Sequence, residues 1–259
     1  MGDILNVLIT GGASNIALNV ALKLARNNLV YLTVHTNSQV KNLKEKIKND
    51  NIIIFKLDIR NSLDYLKINN IHIDLFIANA AICYGGSVLA ISNNVLKDNF
   101  ETNVFANFAL IKYVYSKMAN GKIFIMSSLV SMLPIVMMDC YVSSKAAISM
   151  LTLCLQKELK IISSKVKITL IEPGAFYTGF NQVMIDNKEI YLNKDSKFYQ
   201  YYNVFDKRQR KIFKLIECRN INKISNKIVK QAYKRKPKSK IRAPFLQIFL
   251  VKVYNIFLR

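Results

Sequence analysis

Tyr141 and Lys145 stand four residues apart in the run MSSLVSMLPIVMMDCYVSSKAA, residues 126–147, and Ser128 precedes Tyr141 by thirteen. On a helix, a spacing of four puts the tyrosine and the lysine on one face. A free phenol titrates near pH 10, too high for proton transfer at neutrality, and a neighbouring ammonium favours the phenolate and lowers that value. A serine hydroxyl at the end of a preceding strand can hold a substrate oxygen beside the phenol. Together the three residue types make a proton relay for a carbonyl/alcohol pair, with hydride exchanged with a nicotinamide. By itself, Y-x-x-x-K is also the spacing of an ordinary exposed helix pair, so its surroundings decide.

Those surroundings alternate short apolar runs with longer helical patterns. Strands are expected at 4–10, 29–34, 52–57, 73–78, 121–127 and 166–172. Helices are expected at 17–28, 41–48, 94–118 and 139–163. This alternation predicts an α/β fold, a doubly wound parallel sheet with crossover helices on both faces and ligands at the carboxyl ends of the strands. Ser128 then follows a strand, and Tyr141 and Lys145 enter a long helix. The stretch TGGASNIAL, 10–18, follows the first strand and opens the first helix, where backbone N–H groups meet an anion. It keeps Gly11 and Gly12 but has Asn15 and Ala17 where a dinucleotide loop carries glycines. Asn15 is the next most tolerant residue for a left-handed φ, and Ala17 is small enough for close helix–strand packing. Residues 176–219 break the rhythm, being polar, tyrosine-rich and without clear strands. They suit a substrate lid or partner surface. The simplest partition is one domain: a core at 1–175, a variable lid at 176–220, and C-terminal helices with a basic and apolar tail at 221–259.

In this order and spacing the motifs resemble the short-chain dehydrogenase/reductase family, from about Ile4 to Thr178. Thr10–Ala17 is similar to the family's T-G-x-x-x-G-x-G, ANAA (78–81) to its N-N-A-G, and Pro173, Gly174 and Thr178 to its P-G-x-x-x-T. Asp58, in KLDIRN, matches the acidic residue after the third strand, and Asn103, in ETNVFAN, the helix asparagine. Ser128, Tyr141 and Lys145 match the family's serine, tyrosine and lysine. The resemblance implies a Rossmann fold and an NAD(P)-dependent oxidoreductase interconverting a ketone or aldehyde and an alcohol. It implies Tyr141 as general acid/base, Lys145 tuning it and holding the nicotinamide ribose, Ser128 orienting the substrate oxygen, and Asn103 shaping the relay. It implies cofactor contacts from Thr10, Gly11, Gly12, Ser14, Asn15, Ile16, His35, Asp58, Ile59, Asn79, Ala80, Tyr141, Lys145, Pro173, Gly174 and Thr178. It also implies a homodimer or homotetramer through the two long helices. The departures, Asn15, Ala17, Ala78 and Ala81, all fall in the cofactor cradle. A similar loop occurs in a sub-branch acting on lipid-linked or sugar ketones. Two other readings are a reductase for acyl groups on an acidic carrier protein and a non-catalytic dinucleotide-binding regulator.

After the second strand the chain reads VHTNSQVK, with His35 and Lys41 and no carboxylate. NADP(H) is therefore favoured over NAD(H), because a carboxylate there would take the ribose hydroxyls of NAD. The 259-residue chain carries 38 Lys+Arg against 16 Asp+Glu, a net charge of +22. Compositional drift and an anionic partner both account for it. No recognition motif supports nucleic acid. Four cysteines without C-x-x-C pairing and two histidines give no metal-site spacing and suit reduced thiols. MGDILNVLIT lacks a signal-peptide n-region, and Asn6 stands where myristoylation wants Ser or Thr, so a cytoplasmic start is expected. At the other end, Lys234, Arg235, Lys236, Lys238, Lys240 and Arg242 precede an apolar run, Phe245–Leu258, too short to span a bilayer. With Gln247, Lys252, Asn255 and Arg259 in one arc, this tail suits peripheral contact with an anionic membrane at 234–259. Packing on the substrate pocket or at a subunit interface are the other readings.

Overall fold

The computed structural model describes residues 4–257. The readings placed on Asp3, Leu258 and Arg259 lie outside the described residues. Seven parallel strands form one sheet: β1 Asn6–Ile9, β2 Leu29–Val34, β3 Ile52–Lys56, β4 Leu75–Ala78, β5 Gly121–Met126, β6 Val166–Pro173 and β7 Lys240–Ala243. Their spatial order is β3-β2-β1-β4-β5-β6-β7. The order reverses between β1 and β4, whose register pairs Leu8 with Phe76 and Ile9 with Ile77. A crevice opens at such a reversal, beyond the carboxyl ends of the strands.

The strands are near-continuous apolar runs because both faces of the sheet are covered. Val7, Ile9, Leu75 and Ile77 face one core, packed by Val20, Ala21 and Leu24 of α1 (Asn15–Leu24) and by Ile224 and Ile228 of α8 (Asn222–Ala232). Leu8 and Phe76, one residue out of phase, face the other. That core is packed by Leu110 and Ile111 of α4 (Asn107–Tyr115) and Ile148 of α5 (Asp139–Ile161). Each fully buried Leu, Ile or Phe side chain contributes roughly 1.5–3 kcal/mol relative to exposure. The α2 helix, Asn37–Lys46, covers the β3 edge.

The helix expected at 94–118 forms as α3 (Asn93–Phe100), a π-helical segment (Glu101–Ala106) and α4, end to end. Two expectations are corrected. Residues 176–219 are largely helical, with α6 at Phe180–Tyr191 and α7 at Tyr202–Ile216. Phe205, Gln209 and Phe213 form a stripe at helical spacing that the surrounding tyrosines and lysines obscured. The basic run before the tail, expected as one dense stretch, is divided between a loop and a strand. Lys240 and Arg242 belong to β7, and Arg242 Nε meets the buried Glu172 carboxylate at 2.6 Å. β7 therefore lies between Lys234–Lys238 and the tail helix, α9 (Phe245–Phe257).

Candidate active site

At the end of β1, Gly11 takes φ +65°, and a Cβ there would lie 2.8 Å from Ala80 Cα and 2.9 Å from Asn79 Nδ2. A side chain at Gly12 would strike Leu32 at 2.5 Å. Both glycines let the loop lie flat against β2 and the β4 turn. Ser14 caps α1 by accepting from Ala17 N–H at 3.2 Å, which aims the first turn's N–H groups into the crevice. The left-handed conformation in this loop belongs to Gly11. Asn15 has no positive φ and is the first residue of α1. Its asparagine is thus not there for backbone tolerance, and its Nδ2 instead donates across the crevice to Thr178 C=O at 3.2 Å. Ala17 is buried and packs in the core. Thr10 Oγ1 accepts from Asn79 N–H at 3.1 Å and Ala80 N–H at 3.2 Å, and Asn79 Nδ2 returns to Thr10 and Gly11 carbonyls.

The resulting cleft has a volume of about 700 Å³, within the usual range for small-molecule and cofactor sites. Gly11, Ser14, Asn15, Ile16, His35, Ile59, Asn79 and Ala80 line one part of it, and Ser128, Tyr141, Lys145, Pro173, Gly174 and Thr178 the other. Three expected cofactor contacts, Thr10, Gly12 and Asp58, and one expected catalytic residue, Asn103, stand outside this lining. Thr10 and Gly12 brace the loop, and Asp58 faces the Arg60 guanidinium at 3.6 Å. Asn103 is fully buried, its Oδ1 accepting from Ile82 N–H at 2.8 Å and its Nδ2 donating to Ile82 C=O at 2.9 Å and Ser144 Oγ at 3.0 Å. A flat glycine cradle, a helix N-terminus and a polar inner end fit a dinucleotide. The loop and α1 would hold its phosphates, and Lys145 and the Pro173–Thr178 turn its nicotinamide half.

At the inner end, Ser128, Tyr141 and Lys145 line the cleft together. Ser128 is fixed by Pro173 C=O, to which its Oγ donates at 3.3 Å, and by Val130 N–H. Lys145 Nζ lies 5.7 Å from the Tyr141 ring centre and donates to Met126 C=O at 3.2 Å. The electrostatics depart from the simple expectation. Burial pushes the Tyr141 phenol well above its usual range, with Cys83 adding to the rise and the Ser128 hydroxyl opposing it. Burial also costs the Lys145 ammonium and lowers it to about 8, with Cys83 opposing. Phe180 lies over Tyr141 at 5.7 Å between ring centres, and Met138, Met184, Ile185 and Phe213 complete an apolar wall. This dryness sets both shifts. Sequence reasoning missed Cys83, Phe180, Met184 and Phe213. The stripe on α7 could have pointed to Phe213, while the others carry no local signal.

A family model described as short chain dehydrogenase matches residues 5–189. The uncharacterized oxidoreductase YusZ of Bacillus subtilis is 29% identical over 207 residues, covering 75% of this chain and 73% of the relative. A short chain dehydrogenase/reductase from Burkholderia phymatum, solved with NAD, superposes with a TM-score of 0.78 at 18% identity, covering 99% of this chain and 94% of the other. A short chain dehydrogenase from Burkholderia cenocepacia, solved with NADP, gives 0.73 at 14% identity, covering 99% and 94%.

Proposed function

This chain belongs to the short chain dehydrogenase family, and from that premise we propose an NADPH-dependent reductase for apolar ketones or aldehydes. The observation that carries the reading is the convergence of Ser128, Tyr141 and Lys145 on the inner end of one cleft, with Lys145 Nζ 5.7 Å from the Tyr141 ring centre. The cofactor, when bound, supplies the hydride. Ser128 holds the carbonyl oxygen, Tyr141 delivers its proton to that oxygen, and Lys145 supplies positive charge beneath the phenol as it becomes phenolate. Asn103 fixes the Ile82 backbone beside them. The lining of Met138, Phe180 and Phe213, backed by the buried Met184 and Ile185, favours a hydrophobic substrate, a lipid-like carbonyl above all, because a polar one would lose its water without gaining partners. The segment 176–220 serves as its lid. NADPH is preferred because His35, on the cleft wall after β2, is not a carboxylate.

The same reading includes peripheral contact with an anionic membrane and assembly through α4 and α5. Phe245, Leu246, Phe249 and Leu250 are exposed on α9, as are Lys207, Arg208, Lys211 and Lys214 on α7. A carrier-bound acyl group would use the same basic face and is a separate arm of the test. The experiment is NADPH and NADH oxidation against free lipid, steroid, sugar and carrier-bound ketones, with wild type and Tyr141→Phe. Activity is expected with apolar ketones and NADPH, and a loss of about 10³-fold or more in the folded variant. Full turnover by Tyr141→Phe would refute the catalytic assignment, and a clear preference for NADH the cofactor choice.

A further inference from the structure

Gln247 lies in the first turn of α9, and its side chain points at the turn that follows β6. Its Oε1 accepts from Ala175 N–H at 2.7 Å, and its Nε2 donates to Ala175 C=O at 3.0 Å and to Ile216 C=O at 2.7 Å. The amide thus makes the two-way exchange with Ala175 that a neighbouring strand would make, and also closes on the last residue of α7. The fit is reciprocal. A Cβ at Gly174 would lie 1.9 Å from Gln247 Oε1, so only glycine at 174 leaves room for this amide. The sequence pattern put Gln247 in a solvent-facing polar arc, whereas the structure turns it inward with Val251 and leaves Phe245, Leu246, Phe249 and Leu250 outside.

The turn Gln247 holds is part of the cleft wall. Gly174, Ala175 and Thr178 line it, Ser128 donates to Pro173 C=O, and Asn15 reaches Thr178 from the glycine loop. The other ties on the turn are Gly174 N–H to Ala243 C=O at 2.8 Å, Cys218 N–H to Ala175 C=O at 2.9 Å and Tyr177 N–H to Cys218 C=O at 3.1 Å. None satisfies the Ala175 N–H. Without Gln247 that donor loses its partner, and the turn loses its only side-chain tie to α9 among the described residues.

We propose that Gln247 is a positioning residue that sets the Pro173–Thr178 turn against the nicotinamide end of the cofactor, so that this one side chain, rather than the packing of the C-terminal helix, governs cofactor affinity from outside the cleft. The inference rests on reading the cleft as a nicotinamide-dinucleotide site. Gln247→Met keeps length and volume but loses all three hydrogen bonds. Val251→Ala loosens the same helix without touching the turn and is the control. In the cofactor-free protein, Gln247→Met is expected to speed amide hydrogen exchange at 174–178 and near 216 and leave the strands unchanged. By fluorescence titration its Kd for NADPH is expected to rise about tenfold, with a smaller change in the carbonyl substrate's KM. Val251→Ala is expected to lower thermal stability and retain wild-type exchange and Kd. Exchange at the turn and a Kd both unchanged in Gln247→Met would overturn the proposal, as would equal effects of the two variants. If wild type binds neither NADPH nor NADH, the reading of the cleft fails, and the exchange comparison still decides whether Gln247 holds the turn.

Discussion

At the scale of the residue, the reaction centre is tuned by dryness as much as by charge. Lys145 is 2% exposed, and burial holds its ammonium at about 8. In the proposed reaction it is charged below that pH and supports the phenolate that Tyr141 becomes on giving up its proton. Above it the charge is lost. In the direction of carbonyl reduction, kcat/KM is therefore expected to be flat on the acid side and to fall about tenfold per pH unit above about pH 8. A profile flat to pH 10 would show that Lys145 does not supply the charge. Asn15 poses a different question. Its amide bridges to Thr178 where a glycine would leave the crevice open. Asn15→Gly removes that bridge at a small cost to the helix start, and the Kd for NADPH is expected to fall about threefold. A rise in Kd on titration would mean that the amide serves the bound cofactor instead.

At the scale of the element, the segments around the cleft are held by buried polar side chains that sequence periodicity does not reveal. The π-helical segment turns Asn103 and Asn107 toward one loop, where they bond the Ile82 backbone and Ala80 C=O. Such segments recur at functional sites because the widened turn re-aims side chains. After β3, the buried Asp64 accepts from Lys56 at 2.6 Å, Lys67 at 2.7 Å and Asp58 N–H at 2.8 Å. Burial raises its carboxyl, but these three donors outweigh it and bring it down to about 2. A carboxylate depressed on folding stabilises the protein above its unfolded value, near 4, and that stability is lost as pH falls from there through 2. The contribution is about 2 kcal/mol. Asp64→Asn is expected to lower Tm at pH 7 and to flatten the stability profile between pH 4 and 2, measured by thermal melts. Equal melts of wild type and variant at pH 7 would remove Asp64 from the account.

At the scale of the whole molecule, the Gln247–Ile216 contact joins the start of α9 to the end of α7, and both helices carry exposed side chains there, apolar at Phe249 and Leu250 and cationic at Lys211 and Lys214. Among the described residues no helix is long and apolar enough to cross a membrane. A short helix with an apolar outer face beside cationic side chains binds an anionic surface in its plane. Flotation with phosphatidylserine-containing vesicles is expected for wild type, and Phe249→Ser with Leu250→Ser is expected to weaken it about tenfold or more. Phosphatidylcholine vesicles should capture little of either. Equal partitioning of wild type and variant on anionic vesicles would remove α9 as the contact.

The sequence by itself determined the doubly wound sheet and the placement of Ser128, Tyr141 and Lys145 at one strand end and helix face. Both follow from local rules: strands buried on two faces must be apolar runs, and residues four apart on a helix share a side. Gly11 was legible for a similar reason, since a tight turn after β1 needs φ above zero. The tertiary structure decided what depends on distant partners. Lys240–Ala243 is a strand only because the edge of β6 receives it, and Gln247 faces inward only because Gly174 leaves it space. Tyr141 is raised because Phe180, Met184 and Phe213, far along the chain, pack around it and exclude water, and Lys145 is lowered by its own burial in the fold. Desolvation depends on every atom packed around a group, and no spacing along the chain encodes it.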